Sequence, residues 1–189
     1  ILPQLAPERR MGLPLLPREA VHVVYTGQFT IGDPERDVQS LLDVFESARL
    51  RNPRLALHIA GHLTRAERLA LKTTPSADSV AFYGALPLQT VLTLQSAADG
   101  LIVQSSEGGW AVPGKLFEYR VAGAPIVAIG GGIWRERAGL TVEGDPIAEL
   151  ADLRPRGDLD EARELPDVAQ DQFLSILGIS RQETLEAEE

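Results

Sequence analysis

The sequence predicts an α/β protein of the doubly wound, Rossmann-like kind, with one parallel sheet covered by helices on both faces. Three observations predict it. Short β-branched or aliphatic runs that stop at glycine alternate with segments whose apolar residues recur at helical spacing. The runs are apolar almost throughout, as strands buried on both faces must be. The alternation continues from residue 21 to residue 153, and right-handed crossovers turn such a series into a doubly wound sheet.

The elements follow in order. Residues 1–20 carry Pro3, Pro7, Pro14 and Pro17 with no period, which reads as an extended linker. Val21 to Thr26 is a strand that stops at Gly27. Asp37 to Leu50 is a helix, with Val38, Leu41, Leu42, Phe45 and Ala48 on one face. Leu55 to Ala60 is a strand ending at Gly61, and a helix covers about Thr64 to Lys72. Ser79 to Tyr83 is a short strand ending at Gly84. Pro87 opens a helix to about Ala98, because proline is tolerated in a first turn. Gly100 to Gln104 is a strand, Lys115 to Ala122 a helix and Pro125 to Ile129 a strand that runs into Gly130, Gly131 and Gly132. Leu140 to Val142 is a candidate last strand. Asp145 and Pro146 cap a helix of about Ile147 to Leu153. Residues 154–189 are expected to hold one or two terminal helices and an acidic tail. The expected organisation is therefore a linker (1–20), a Rossmann-like domain (21–153) and a terminal segment (154–189).

Ligands of doubly wound sheets sit beyond the carboxyl ends of the strands. That edge collects the loops at Gly27, Gly61, Gly84, Ser105 to Gly114 and Gly130. Glycine at the first loop position lets backbone approach a ligand closely, and it also simply ends strands. Composition narrows the ligand. A net charge of -9 argues against a nucleic-acid partner, which needs a basic face. The absence of cysteine excludes disulfide scaffolds, thiolate metal sites and cysteine nucleophiles. Three histidines without ligand spacing predict no metal site. No apolar run approaches the roughly 20 residues that span a bilayer, no signal peptide is visible, and a cytoplasmic location is expected.

The densest segment runs from Ser105 through Glu107, Gly108, Gly109 and Trp110 to Lys115, Leu116 and Glu118. A glycine-rich loop feeding a helix N-terminus suits an anion, because the first N–H groups point outward and the dipole is positive there. Lys115 is disfavoured by that dipole unless an anion such as a diphosphate lies opposite. Glu118, at i+3 on the same face, cannot bind phosphate but can accept hydrogen bonds from the vicinal hydroxyls of a ribose. The same spacing also fits a plain surface Lys–Glu pair, worth about 0.3 kcal/mol. His58, mid-strand and alone, reads as a packed core histidine. His62 reads as a solvated loop residue. Trp110 suits either stacking on a ligand or covering the core. The loop Gly130 to Gly132 suits either a phosphate or a tight turn.

The run Val112-Pro113-Gly114-Lys115-Leu116-Phe117-Glu118-Tyr119, followed by Ala122-Gly123-Ala124-Pro125, resembles the donor-site signature of GT-B-fold glycosyltransferases, the group around glycosyltransferase family 4. Weaker pieces fall in the family's order: Tyr25 to Phe29, Leu57 to Gly61, Val80 to Gly84, Ala97 to Ile102, and Ala138 to Leu140 with Gly144 and Asp145. The resemblance covers about residues 1–153. It implies the C-terminal, donor-binding half of a GT-B enzyme, whose partners are a nucleotide-sugar and an N-terminal acceptor domain. A membrane surface would be reached only through that other domain, and no cofactor is implied. By position, Glu118 takes the ribose, Arg36 and Lys115 the diphosphate, and Leu86 beside Gly84 the base. Gly27, Gln28, Glu107, Gly108, Gly109 and Leu116 complete the implied donor pocket.

The sequence departs from the family pattern at two places. Many members have a second Glu separated from the first by seven residues; counting back from Glu118 that position is Trp110, and Glu107 is out of register. Gln28 stands where members often have Arg, which leaves Arg36 to supply that contact. Gln28 and Trp110 are also the features that would suit a degenerate, non-catalytic scaffold. A sugar-nucleotide epimerase on the same fold would need acids and a histidine at the cleft.

Overall fold

The computed structural model describes residues 19–29, 37–105, 112–140 and 144–156. Five parallel strands form one sheet in the order β3-β2-β1-β4-β5. They are β1 (Val21–Thr26), β2 (Leu55–Ala60), β3 (Val80–Phe82), β4 (Gly100–Gln104) and β5 (Ile126–Ile129). The helices are α1 (Val38–Arg51), α2 (Arg65–Thr73), α3 (Leu88–Ala97), α4 (Lys115–Ala122), α5 (Ile133–Arg137) and α6 (Pro146–Ala151). The doubly wound, Rossmann-like sheet expected from the sequence is the one observed. The order reverses between β1 and β4, so the two strands that flank the switch point are the first and the fourth.

Strand side chains alternate between two cores. Val21, Val23, Tyr25, Leu55, Leu57, Ile59, Ile102, Val127 and Ile129 face α1 and α6, meeting Leu41, Leu42, Phe45 and Leu150. Val24, Ala60, Leu101, Val103 and Ala128 face the other way, toward Leu94 of α3, Leu116 and Tyr119 of α4 and Trp134 of α5. Period-2 alternation within largely apolar strands makes two cores from one sheet, which is why the runs show no solvent-facing polar side.

The helix ends follow local chemistry. Asp37 caps α1 by accepting from the Ser40 N–H at 2.8 Å. Thr64 and Glu67 form a reciprocal capping box at the start of α2. Gly123, at φ +69°, closes α4 in the left-handed region. Asn52 ends α1 and reaches the Ala151 and Leu153 carbonyls at 3.1 and 3.3 Å, which ties α1 to the end of α6.

Two expectations are revised. The loop Gly130 to Gly132 turns directly into α5, a helix the sequence reading did not contain. His58 is not alone: its Nε2 lies 2.8 Å from Nδ1 of His22, and its own Nδ1 lies 2.7 Å from the Tyr83 hydroxyl. Burial holds the His58 imidazole far below its ordinary value, at about 3, with the neighbouring His22 as a second cause. The expected linker (1–20) and terminal segment (154–189) lie mostly outside the described residues, as does most of the candidate strand Leu140–Val142. Among the described residues no helix is long and apolar enough to cross a membrane.

Candidate functional site

The carboxyl ends of β1 and β4 and the first turn of α4 meet at the switch point. Thr26 ends β1 there. Its N–H donates to the Tyr119 hydroxyl at 3.0 Å, and its Oγ1 lies 3.2 Å from the same oxygen. Tyr119 is completely buried, and burial raises its phenol to about 12. It stays protonated and pins α4 to the end of β1. That link fixes where Lys115, one turn earlier on α4, and Glu118, the residue just before Tyr119, project.

Lys115 reaches back over β1. Its Nζ donates to the Thr26 carbonyl at 2.8 Å and lies 4.0 Å from the centre of the Tyr25 ring. It also lies beside the loop, 3.2 Å from where a side-chain carbon on Gly27 would sit. The cation therefore stands at the mouth of the first strand-to-helix loop. Glu118 is half-buried, and its Oε2 accepts from Nε2 of Gln95, on α3, at 3.4 Å. The same Nε2 donates to Thr26 Oγ1 at 3.1 Å. A cation and a carboxylate thus hang from one helix turn above the ends of the central strands, each steadied by a neighbouring element.

The other expected residues fall variously. Gly27 and Gln28 open the loop after β1, and the Gln28 carbonyl accepts from the Tyr25 hydroxyl at 3.2 Å. Gly84 has open space where a side chain would project. Leu86 is half-buried and packs against the second core. Arg36, Glu107, Gly108, Gly109 and Trp110 lie outside the described residues. Gln104, at the end of β4, donates to the Asp37 carbonyl at 3.1 Å and so ties β4 to the residue after Arg36. His62 is exposed, as expected for a loop residue.

Leu116 is a correction. Its side chain is 1% exposed and belongs to the second core, so it cannot line a donor pocket. Its N–H is also engaged, donating to the Pro113 carbonyl at 3.0 Å, and the Phe117 N–H donates to Gly114 at 3.2 Å. A tight first turn thus satisfies two of the amides that a helix N-terminus was expected to offer an anion. Two of the strand-end glycines have a structural reason of their own. A side-chain carbon on Gly61 would lie 1.9 Å from the Gly27 carbonyl oxygen, and one on Gly130 would lie 1.8 Å from that of Ser105. These glycines let neighbouring loops pack closely on one another.

Sequence reasoning assigned no role to Thr26, Gln95 or Tyr25. The available signal was polar Gln95 within the apolar stripe of α3, where it is completely buried. A polar side chain there needs a partner.

The family model described as glycosyl transferases group 1 matches residues 20–153. No curated protein matches the chain significantly. Among solved structures, it is similar to a UDP-GlcNAc 2-epimerase from Neisseria meningitidis solved with UDP-GlcNAc bound, at 14% identity and a TM-score of 0.54. That match covers 74% of this chain and 37% of the other. It is also similar to a UDP-forming α,α-trehalose-phosphate synthase from Burkholderia xenovorans, at 15% identity and a TM-score of 0.50 over 80% of this chain and 38% of the other. WaaG, a glycosyltransferase of lipopolysaccharide biosynthesis, matches at 16% identity and a TM-score of 0.50 over 71% of this chain and 37% of that one. At such identities the likeness is one of fold, and the chain spans well under half the length of these proteins.

Proposed function

We propose, since this chain belongs to the glycosyl transferases group 1 family, that it forms the donor-binding half of an enzyme that moves a sugar from a nucleoside diphosphate to an acceptor. The acceptor is held by an N-terminal domain. The observation that carries the reading is the pairing on α4: Lys115 beside Gly27 and Glu118 one turn on, both at the switch point where doubly wound sheets take their ligands.

The chemistry follows from charge. When the sugar leaves, negative charge grows on the terminal diphosphate oxygens, and a fixed cation lowers the barrier by being in place beforehand. Removing one such preorganised group typically costs about 3–4 kcal/mol. Lys115 is held by the Thr26 carbonyl and the Tyr25 ring, so little reorganisation is needed when charge develops. Arg36, just ahead of the α1 cap, supplies the second cation. Glu118 accepts from the ribose hydroxyls and sets the distance from sugar to diphosphate. Leu86 with the Gly84 loop takes the base, while Gln28, Glu107, Gly108 and Gly109 complete the donor pocket. The likeness to UDP-sugar proteins favours a uridine nucleotide for the first trial.

An epimerase requires a histidine at the cleft. His22 and His58 are buried within β1 and β2, and His62 is the histidine that stands at the carboxyl edge. The family match places the weight on transfer.

Titration calorimetry of this chain with UDP, GDP and ADP tests the reading. One of them is expected to bind, with Lys115→Met weakening a nucleoside diphosphate at least tenfold while leaving the parent nucleoside unchanged. No heat with any of the three, or equal binding by wild type, Lys115→Met and Glu118→Ala, overturns it.

A further inference from the structure

We infer that Gln95 is a positioning residue for the ribose: it sets the Glu118 carboxylate and thereby lets this site distinguish a ribonucleotide from a deoxynucleotide. The inference rests on the donor-site reading above and deepens it. Gln95 lies on α3, a different element from every residue assigned to the donor. It is completely buried, yet both hydrogens of its Nε2 are aimed at the switch point. One goes to Thr26 Oγ1 at 3.1 Å and the other to Glu118 Oε2 at 3.4 Å. The amide thus bridges the end of β1 and the acidic side chain of α4.

The orientation of the amide follows from Glu118. An ionised carboxylate only accepts, so the group facing it must be the NH2 end. The other end, Gln95 Oε1, is buried and has no hydrogen-bond partner among the described residues. An interior acceptor without a partner destabilises a fold, and a leucine of similar size would carry no such penalty. What distinguishes the amide from leucine is therefore the pair of bonds that Nε2 makes, to Thr26 Oγ1 and to Glu118 Oε2, and the second is the one that touches the acid assigned to the ribose. That bond occupies one carboxylate oxygen and restricts rotation of the side chain. The remaining lone pairs of Glu118 are then held in one direction, as a pair of vicinal hydroxyls requires. The Thr26 bond anchors the amide in turn, through the same hydroxyl that meets Tyr119.

The test is calorimetry on this chain with the ribonucleoside diphosphate that binds best and with its 2′,3′-dideoxy counterpart, for wild type, Glu118→Ala, Gln95→Leu and Gln95→Glu. Wild type is expected to prefer the ribose form, and Glu118→Ala to abolish the preference. Gln95→Leu should weaken the ribose form about tenfold, the scale of one lost hydrogen bond to a charged group, and leave the dideoxy form unchanged. A merely structural role for Gln95 would weaken both forms alike. Gln95→Glu keeps the shape and places a second carboxyl against Glu118. Such a pair shares one proton at low pH and repels once both ionise, so its affinity relative to wild type should approach unity near pH 5 and fall at least tenfold by pH 8.

Equal losses for the two nucleotides in Gln95→Leu, or no loss, overturn the role of Gln95 while the donor site stands. A flat pH ratio for Gln95→Glu also overturns it. Absence of binding by wild type, or an undiminished ribose preference in Glu118→Ala, overturns the donor-site reading and this inference with it. Thermal unfolding of each variant separates a folded, non-binding protein from an unfolded one.

Discussion

Acidification should weaken this fold through one buried imidazole. His58 lies in the middle of β2 with no exposed surface, between His22 of β1 and the Tyr83 hydroxyl. Its neutral ring satisfies both neighbours, one nitrogen donating and the other accepting. Protonation would place a charge among apolar side chains and beside a second histidine. Its folded value of about 3 therefore lies below the 6.5 of an exposed imidazole. The folded state then binds fewer protons than the unfolded chain, so the contribution is complete above pH 6.5 and is lost as pH falls toward 3. Between pH 7 and pH 5 those two values give a loss of about 2 kcal/mol from this group, or about 4–8 °C in a chain of this size. Thermal unfolding of wild type and His58→Gln across pH 5 to 8 isolates it, since the carboxylates are common to both. Wild type should lose about 2 kcal/mol more than His58→Gln between pH 7 and pH 5. Parallel pH profiles would refute the reasoning.

Two further substitutions probe the loops that shape the site. Gly61→Ala would put a carbon 1.9 Å from the Gly27 carbonyl oxygen, at a φ of +146°. Denaturant unfolding should show a loss of about 2–4 kcal/mol, and an unchanged midpoint would mean that the two loops are not packed as described. Tyr119→Phe removes the acceptor for the buried Thr26 N–H. It should cost about 1–3 kcal/mol in the same assay and weaken nucleotide binding, because α4 loses its pin to β1.

Much of the fold was legible in the sequence because the strands are largely apolar runs and most of them are followed closely by glycine. The bounds of β1, β2 and β4 match the expected ones, and α1, α3 and α4 fall within two residues of theirs. The helix α5 was not legible. Five residues after three glycines give no period, and its buried members are Trp134 and Arg135. Arg135 resembles a surface residue until the fold gives its guanidinium the Ala128, Gly130 and Gly144 carbonyls. The candidate site was legible where it rests on a contiguous motif. Lys115 and Glu118 project as i, i+3 spacing requires, whereas Leu116, between them, turns inward. Its place in the motif suggested a contact that its position on the helix rules out. Contacts across elements left no trace in the chain: His22 with His58 depends on strand pairing, and Gln95 with Glu118 on how α3 and α4 lie together.

The most direct measurement of the central claim is the crystal structure of this chain grown with the nucleoside diphosphate that binds it best. The account predicts the diphosphate within hydrogen-bond distance of the Lys115 ammonium, beside Gly27, with the ribose hydroxyls on the Glu118 carboxylate. A nucleotide seated elsewhere, with both side chains as they stand now, would contradict it.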